Sequence, residues 1–184
     1  MLINSIVYID TETDPKSNKV LDIGGIKDDK ASFHKNSRHD FIQFIKGSRF
    51  ICGHNILNHD IKYLGKEIAA AGIHPNYVID TLYLSPLLFP TKPYHALVKD
   101  DKLQTDELNN PLNDAIKARD LFQEEVARFR KTAESMKQLF FLLLHQTREY
   151  YAFFQFLNYT SNNTNTTKLI QETFHNHICN NTDL

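Results

Sequence analysis

The sequence has few cysteines, since Cys52 and Cys179 are the only two among 184 residues. They stand far apart and lack the close spacing of a cysteine-based metal site. Cys52 ends the apolar run Phe50-Ile51-Cys52, so we expect it to be a buried free thiol. This cysteine usage predicts a reducing compartment.

Long apolar runs are also absent. No segment approaches the roughly 20 apolar residues that a membrane span requires. The first ten residues, MLINSIVYID, lack both the basic start and the long apolar stretch of a signal peptide. We therefore expect a soluble, cytoplasmic protein with no membrane partner.

An excess of charge of one sign is missing as well. Lysine and arginine total 21 against 22 acidic residues, which gives a formal net charge of −1. This balance argues against a protein that coats DNA non-specifically, because such proteins carry a strong basic excess. It does not exclude a nuclease, whose site is itself a cluster of acidic side chains.

The hydrophobic content of 41% is enough for a packed core. Gly24 and Gly25, inside the second strand, indicate a bulge or close packing. The alternation of strands and helices implies an α/β domain with a largely parallel sheet. The predicted strands are 6–9, 20–26, 30–34, 49–52 and 77–79, and the predicted helices are 39–46, 60–71 and 112–129.

The chain changes character after residue 130, where stretches rich in Phe, Leu and Tyr predict helices at 136–144 and 150–157, followed by a last helix at 169–179. We therefore divide the chain into an α/β domain, 1–130, and a helical extension, 131–184. The apolar surface of the extension exceeds what the core of the first domain needs, which predicts that the natural protein continues beyond it.

Two acidic residues follow the first apolar strand. Asp10 and Glu12 are two positions apart on an extended segment, so both side chains project from one face. Their Cα atoms would lie roughly 6.6 Å apart, close enough for both carboxylates to reach one or two cations such as Mg²⁺. An acidic loop after a strand is the alternative interpretation of this pair.

Two further acids begin predicted helices. Asp60 opens the helix after the fourth strand, and Asp114 lies in the first turn of the helix near residue 112. In an open α/β sheet the strand ends and helix starts gather at one edge, where ligands bind. The alternative for each is an acid that favours a helix N-terminus without binding a ligand.

Four segments then resemble, in order and spacing, the motifs of the DEDD exonuclease superfamily. These are VYIDTET at 7–13, GHNILNHDIKYL at 53–64, IDTL at 79–82 and NDAIKA at 113–118. The family's patterns are D-x-E-T after a strand, H-N before an aspartate that begins a helix, D-T-L, and D-A-x-x-A. His59 takes the place usually held by Phe.

This resemblance implies a ribonuclease H-like fold, with a mixed five-stranded sheet flanked by helices and a C-terminal helical extension. It implies a 3′–5′ exonuclease that hydrolyses single-stranded DNA or RNA with two Mg²⁺ or Mn²⁺ ions. The metal ligands would be Asp10, Glu12, Asp60 and Asp114. The residues expected to contact nucleic acid are Thr13, His54, Asn55, His59 and Tyr94.

The general base departs from the family's pattern. The position of the His in one branch of the family is Asn109, and that of the Tyr in the other branch is Asn110. An amide cannot take a proton from water at neutral pH. His95, five residues before Asp100, is a candidate substitute base, and a surface or substrate-contacting histidine is the alternative.

A basic and aromatic segment surrounds Tyr94 and could contact nucleic acid, although a solvated loop is the alternative. Its other members are Tyr83, Phe89, Lys92, Lys99 and Lys102. The stretch 93–114 also resembles the exonuclease-like N-terminal region of some bacterial RecQ-type helicases, which implies a helicase domain in the same chain. The second functional interpretation is a catalytically weakened module with the exonuclease fold, which serves a helicase as its nucleic-acid-binding or targeting part.

Overall fold

The computed structural model describes residues 5–97, 110–175 and 177. Asn109, Asp100 and Cys179, together with Lys99 and Lys102, lie outside this part of the chain.

Five strands form one sheet in the order β3-β2-β1-β4-β5. β1 pairs antiparallel with β2 and parallel with β4, β2 pairs antiparallel with β3, and β4 pairs parallel with β5. The expected mixed, ribonuclease H-like sheet is confirmed, whereas the largely parallel sheet inferred from simple alternation is wrong. The strands are β1 (Ile6–Thr13), β2 (Val20–Lys27), β3 (Ser32–His34), β4 (Phe50–Gly53) and β5 (Val78–Asp80).

Helices cover the sheet and form the C-terminal part of the described chain. Of these, the short α3 is the one that the sequence pattern did not predict. They are α1 (Arg38–Ile45), α2 (Asp60–Ala70), α3 (Thr81–Leu88), α4 (Pro111–Lys131), α5 (Glu134–Leu144), α6 (Tyr151–Leu157) and α7 (Thr166–Thr173). Within the described ranges, no helix has both the length and the apolar character needed to cross a bilayer.

The side chains of β1 alternate between two cores. Tyr8 points to the face covered by α3, α4 and α6, where its ring centroid lies 6.1 Å from that of Phe122. Val7 and Ile9 point to the other face, where they pack with Leu64 of α2 and with residues of α1. Because successive strand residues face opposite sides, Asp10 and Glu12 continue the face of Tyr8.

The N-terminus of α4 lies directly on β2. A Cβ atom at Gly24 would collide with the backbone of Pro111 and Leu112. The predicted close packing at this glycine is therefore confirmed. Since Gly24 is paired with Asp10 across β1 and β2, the contact brings the first turn of α4 close to the end of β1.

The C-terminal helices share the core of the sheet. Phe153 and Phe154 of α6 are buried in the cluster that contains Tyr8, and the rings of Phe153 and Phe122 lie 6.3 Å apart between centroids. Aromatic packing therefore crosses the expected boundary after residue 130, and the division into two domains stays a prediction. Cys52 is buried as a free cysteine, as expected.

Candidate metal centre

Three carboxylates meet at the end of β1. Asp10, Glu12 and Asp114 each offer one oxygen, and these three oxygens all lie within 4.8 Å of one another. The side chains are half-buried, so the group is shielded on one side and open to ligands on the other. The expectation that Asp10 and Glu12 share a face, and that Asp114 joins them, is met by this geometry.

The start of α4 fixes the position of Asp114. Asn110 caps the helix, because its side-chain oxygen accepts hydrogen bonds from the backbone N–H of Leu112 (3.0 Å) and of Asn113 (3.3 Å). A carboxylate in the first turn is favourable because the exposed N–H groups of a helix start carry partial positive charge. Lys117, one turn later, places its ammonium 3.9 Å from Asp114 Oδ1.

The three carboxylates line an open cavity of about 290 Å³. His54, Asn55 and His59, which the sequence marked as contacts to nucleic acid, belong to the same lining. The complete lining is Asp10, Thr11, Glu12, His54, Asn55, His59, Ala96, Leu97 and Asp114. A cavity of this size is close to the lower end of the roughly 300–1,000 Å³ typical of small-ligand sites.

Asp60, the fourth expected ligand, lies apart from this group. It begins α2, which packs on the other face of the sheet, and it accepts a 2.6 Å hydrogen bond from the Thr11 hydroxyl. Asp60 Oδ2 is buried with no hydrogen-bond partner among the described residues, and burial raises the pKa of the carboxyl to about 6. The structure thus does not bring Asp60 into the carboxylate group, and its role as a ligand stays a prediction.

Asp80 holds the turn that carries two of the cavity residues. Its carboxylate accepts hydrogen bonds from the backbone N–H of Asn55 (2.8 Å), Leu57 (3.0 Å) and Leu82 (2.9 Å). It therefore fixes the turn after β4 and caps α3 at the same time. Sequence reasoning did not assign this positioning role, although an aspartate directly before a helix is the available signal.

His54 is fixed as a neutral ring in the cavity wall. Its Nδ1 atom lies 2.8 Å from the Thr81 hydroxyl oxygen. Burial lowers the pKa of the imidazole to about 4, so the ring is uncharged at neutral pH. Its Nε2 atom is buried and has no hydrogen-bond partner among the described residues.

Of the other predicted contacts to nucleic acid, His59 lines the same cavity, whereas Thr13 and Tyr94 do not. His59 directly precedes α2, and the centroids of its ring and of the Tyr63 ring are 5.3 Å apart. Thr13 ends β1 beyond an irregularity after Glu12 and is not part of the cavity lining. Tyr94 is 69% exposed and lines a second, neighbouring cavity.

The candidate bases do not meet the carboxylates among the described residues. Asn110 serves as the helix cap, and Asn109 lies outside the described part of the chain. His95 Nδ1 is 2.9 Å from the Ser85 hydroxyl oxygen, and the ring lines the neighbouring cavity. Its role as a substitute base therefore stays a prediction.

The carboxylate group fits a hard divalent cation. Ligand oxygens of Mg²⁺ lie about 2.1 Å from the ion, so oxygens of one shell are up to about 4.2 Å apart. The oxygens of Asp10, Glu12 and Asp114 are within 4.8 Å, a difference that small rotations of the carboxylates would close. All three donors are oxygens, as Mg²⁺ and Mn²⁺ prefer.

Comparison with known proteins identified no match to this chain. No protein-family model, curated protein or solved structure matches the chain. Membership of the DEDD exonuclease superfamily stays a prediction that rests on the motifs.

Proposed function

We propose that the protein is a metal-dependent 3′–5′ exonuclease that hydrolyses phosphodiester bonds of single-stranded DNA or RNA. The observation that supports this proposal most strongly is the convergence of Asp10, Glu12 and Asp114 in one open cavity. The direction of hydrolysis and the two-ion mechanism come from the resemblance of the four motifs.

The residues of the cavity have separate tasks in this proposal. Asp10, Glu12 and Asp114 would hold Mg²⁺ or Mn²⁺. The resemblance of the motifs assigns Asp60 to the second ion. A bound divalent cation polarises the phosphate and makes a nearby water more acidic. Neutral His54 and Asn55 form the wall against which the terminal nucleotide lies, since both line the same cavity.

The assay for this function compares 5′-labelled and 3′-labelled single strands of DNA and RNA, incubated with Mn²⁺, Mg²⁺ or EDTA. We expect stepwise shortening from the 3′ end that requires the metal. Asp10→Ala and Asp114→Asn should lower the rate at least about a hundredfold, because each removes charge stabilisation at the reacting phosphate.

The matched control is Asp29→Asn. Asp29 is exposed in the turn after β2, far along the strand from Asp10, and its Oδ1 atom accepts a hydrogen bond from Ala31 N that asparagine can also accept. This variant should keep the wild-type rate. Metal-independent shortening, or equal rates for Asp29→Asn and Asp10→Ala, would contradict the proposal.

The second candidate function is a nucleic-acid-binding or targeting module of a helicase with weakened catalysis. The observation that favours it is that an amide, Asn109, stands where the family has its base. Binding of the same labelled strands in a gel-shift measurement, without metal-dependent shortening in the hydrolysis assay, would select this alternative.

A further inference from the structure

A third cavity lies on the other face of the sheet, between α2 and the turn that joins α5 to α6. We call it the α2 pocket. Its volume is about 140 Å³, and its floor is formed by the buried side chains of Leu57, Ile68, Ile73 and Val78. An apolar cavity of roughly 150 Å³ accommodates a benzene ring, so the α2 pocket has the size of one large side chain.

Two small residues of α2 leave the pocket open. Gly65 and Ala69 are one turn apart, and both lie on the stripe of the helix that begins with Ile61. A Cβ atom at Gly65 would lie in ordinary contact with Ile61 Cγ2, at 3.7 Å. The space beside this glycine therefore admits a larger group.

Unpaired positive charge borders the pocket. Arg148 is exposed at its rim, in the turn between α5 and α6. Lys62 and Lys66 are exposed on α2, and each follows a pocket residue by one position, about 100° further round the helix. None of these three cations is paired with a carboxylate in the described part of the chain.

The acidic side chains of α2 do not neutralise this charge. Glu67 is turned toward α1, where its carboxylate lies 2.7 Å from the guanidinium of Arg38. Asp60 is buried against the Thr11 hydroxyl. Among the described residues the pocket lining contains no carboxylate, so an occupant meets apolar surface bordered by positive charge.

The lining suits a peptide side chain better than a nucleotide. Within the described ranges it offers no aromatic ring on which a base could stack, and its polar side chains are Asn76 and Arg148. A nucleobase in this pocket would leave most of its donors and acceptors without partners, which is costly, whereas a phenyl ring has none to satisfy.

We propose that the α2 pocket docks an acidic segment of a partner protein, which inserts one aromatic side chain. The carboxylates on either side of this anchor face Arg148, Lys62 and Lys66, since complementary charge steers association and fixes the register. One buried anchor corresponds to a small, transient interface. The α2 pocket and the metal centre lie on opposite faces of the sheet, so docking does not depend on the proposed hydrolysis.

The test measures binding of labelled, end-capped heptapeptides by fluorescence anisotropy. The first peptide has phenylalanine in the middle and acidic residues on both sides; the second has alanine in the middle, and the third has lysines in place of the acids. We expect saturable binding of the first peptide that weakens with salt. The alanine peptide should bind at least roughly tenfold more weakly, because burial of the ring is lost, and the lysine peptide should not bind.

Two matched pairs of variants locate the binding. Gly65→Leu fills the pocket and should weaken binding of the phenylalanine peptide at least roughly tenfold, whereas Ala70→Leu adds the same side chain outside the lining and should not. Arg148→Gln should weaken binding roughly threefold at low salt, whereas Arg130→Gln, at an exposed arginine of α4, should not. Circular dichroism checks that each variant is folded, and the arginine pair decides the result if Gly65→Leu does not fold.

Equal binding of the phenylalanine and alanine peptides, or unchanged affinity in both Gly65→Leu and Arg148→Gln, would overturn the proposal. Displacement of the peptide by a thymidylate decamer at equal affinity would overturn it in favour of nucleic acid. A dimer in sedimentation that Gly65→Leu dissociates would overturn it in favour of a second copy of the chain.

Discussion

Glu125 is a glutamate with no exposed surface, on the inner side of α4. Neither of its carboxylate oxygens has a hydrogen-bond partner among the described residues. Burial, reinforced by the negative charge of Asp80, raises the pKa of this carboxyl to about 10. Glu125 is therefore protonated at neutral pH in the folded protein and ionised in the unfolded chain.

This difference predicts a pH dependence of stability. The folded state holds one more proton than the unfolded state between the unfolded pKa of 4.5 and the folded pKa of about 10, so stability falls as pH rises through that range. Glu125→Gln removes the titration. Urea denaturation at pH 6 to 9 measures the free energy of unfolding of both proteins. The difference between the variant and wild type should increase, in favour of the variant, by up to about 1.4 kcal/mol for each pH unit.

The control for this experiment is Glu172→Gln, in which the same chemical change is made at an exposed glutamate of α7. Its stability curve should run parallel to that of wild type. If the curves of Glu125→Gln and wild type were also parallel, the buried carboxyl would not be the source of the pH dependence.

At the scale of elements, the contact between α4 and β2 decides whether Asp114 reaches Asp10. Gly24→Ala places a methyl group against the backbone of Pro111 and Leu112, which must move away. We expect a loss of roughly 1–3 kcal/mol in the free energy of unfolding, as for other overpacked sites, together with weakened Mn²⁺ binding. Denaturation and metal titration of the same preparation measure both effects.

Gly65→Ala on α2 provides the comparison. A Cβ atom there would lie 3.7 Å from Ile61 Cγ2, an ordinary contact, and alanine favours a helix interior by roughly 0.5–1 kcal/mol. This variant should be at least as stable as wild type, with unchanged Mn²⁺ binding. Equal metal affinity in Gly24→Ala and wild type would mean that the helix contact does not set the geometry of the carboxylates.

The same elements show how far sequence reasoning reaches. The period of two along β1 places Asp10 and Glu12 on one face, and the glycine at position 24 marks the close contact. That α2 lies on the opposite face from α4, so that Asp60 meets Thr11, depends on the crossing of elements distant in sequence. No local pattern contains that information.

The reason why the sequence pattern did not predict α3 is local to this helix. α3 is short, contains Pro86 and is mostly apolar, so it lacks the polar stripe that marks an amphipathic helix. Its start is nevertheless encoded by the Asp80 side chain, which accepts a hydrogen bond from Leu82 N. The general base could not be located from spacing, because Asn110 at one family position caps α4.

At the scale of the whole molecule, one mixed sheet separates two cores. The carboxylates of Asp10, Glu12 and Asp114 meet on the side of the sheet that α4 covers. The central claim is that these carboxylates form a site for a divalent cation. The proposed hydrolysis depends on it, whereas the fold does not.

The most direct test is Mn²⁺ titration followed by electron paramagnetic resonance, in which the signal of free Mn²⁺ decreases on binding. We predict saturable binding by the wild-type protein and by Asp29→Asn, and its loss in Asp10→Asn and Asp114→Asn, with all four proteins folded by circular dichroism. Absence of saturable binding by the wild type, or equal binding by Asp114→Asn and Asp29→Asn, would contradict the claim.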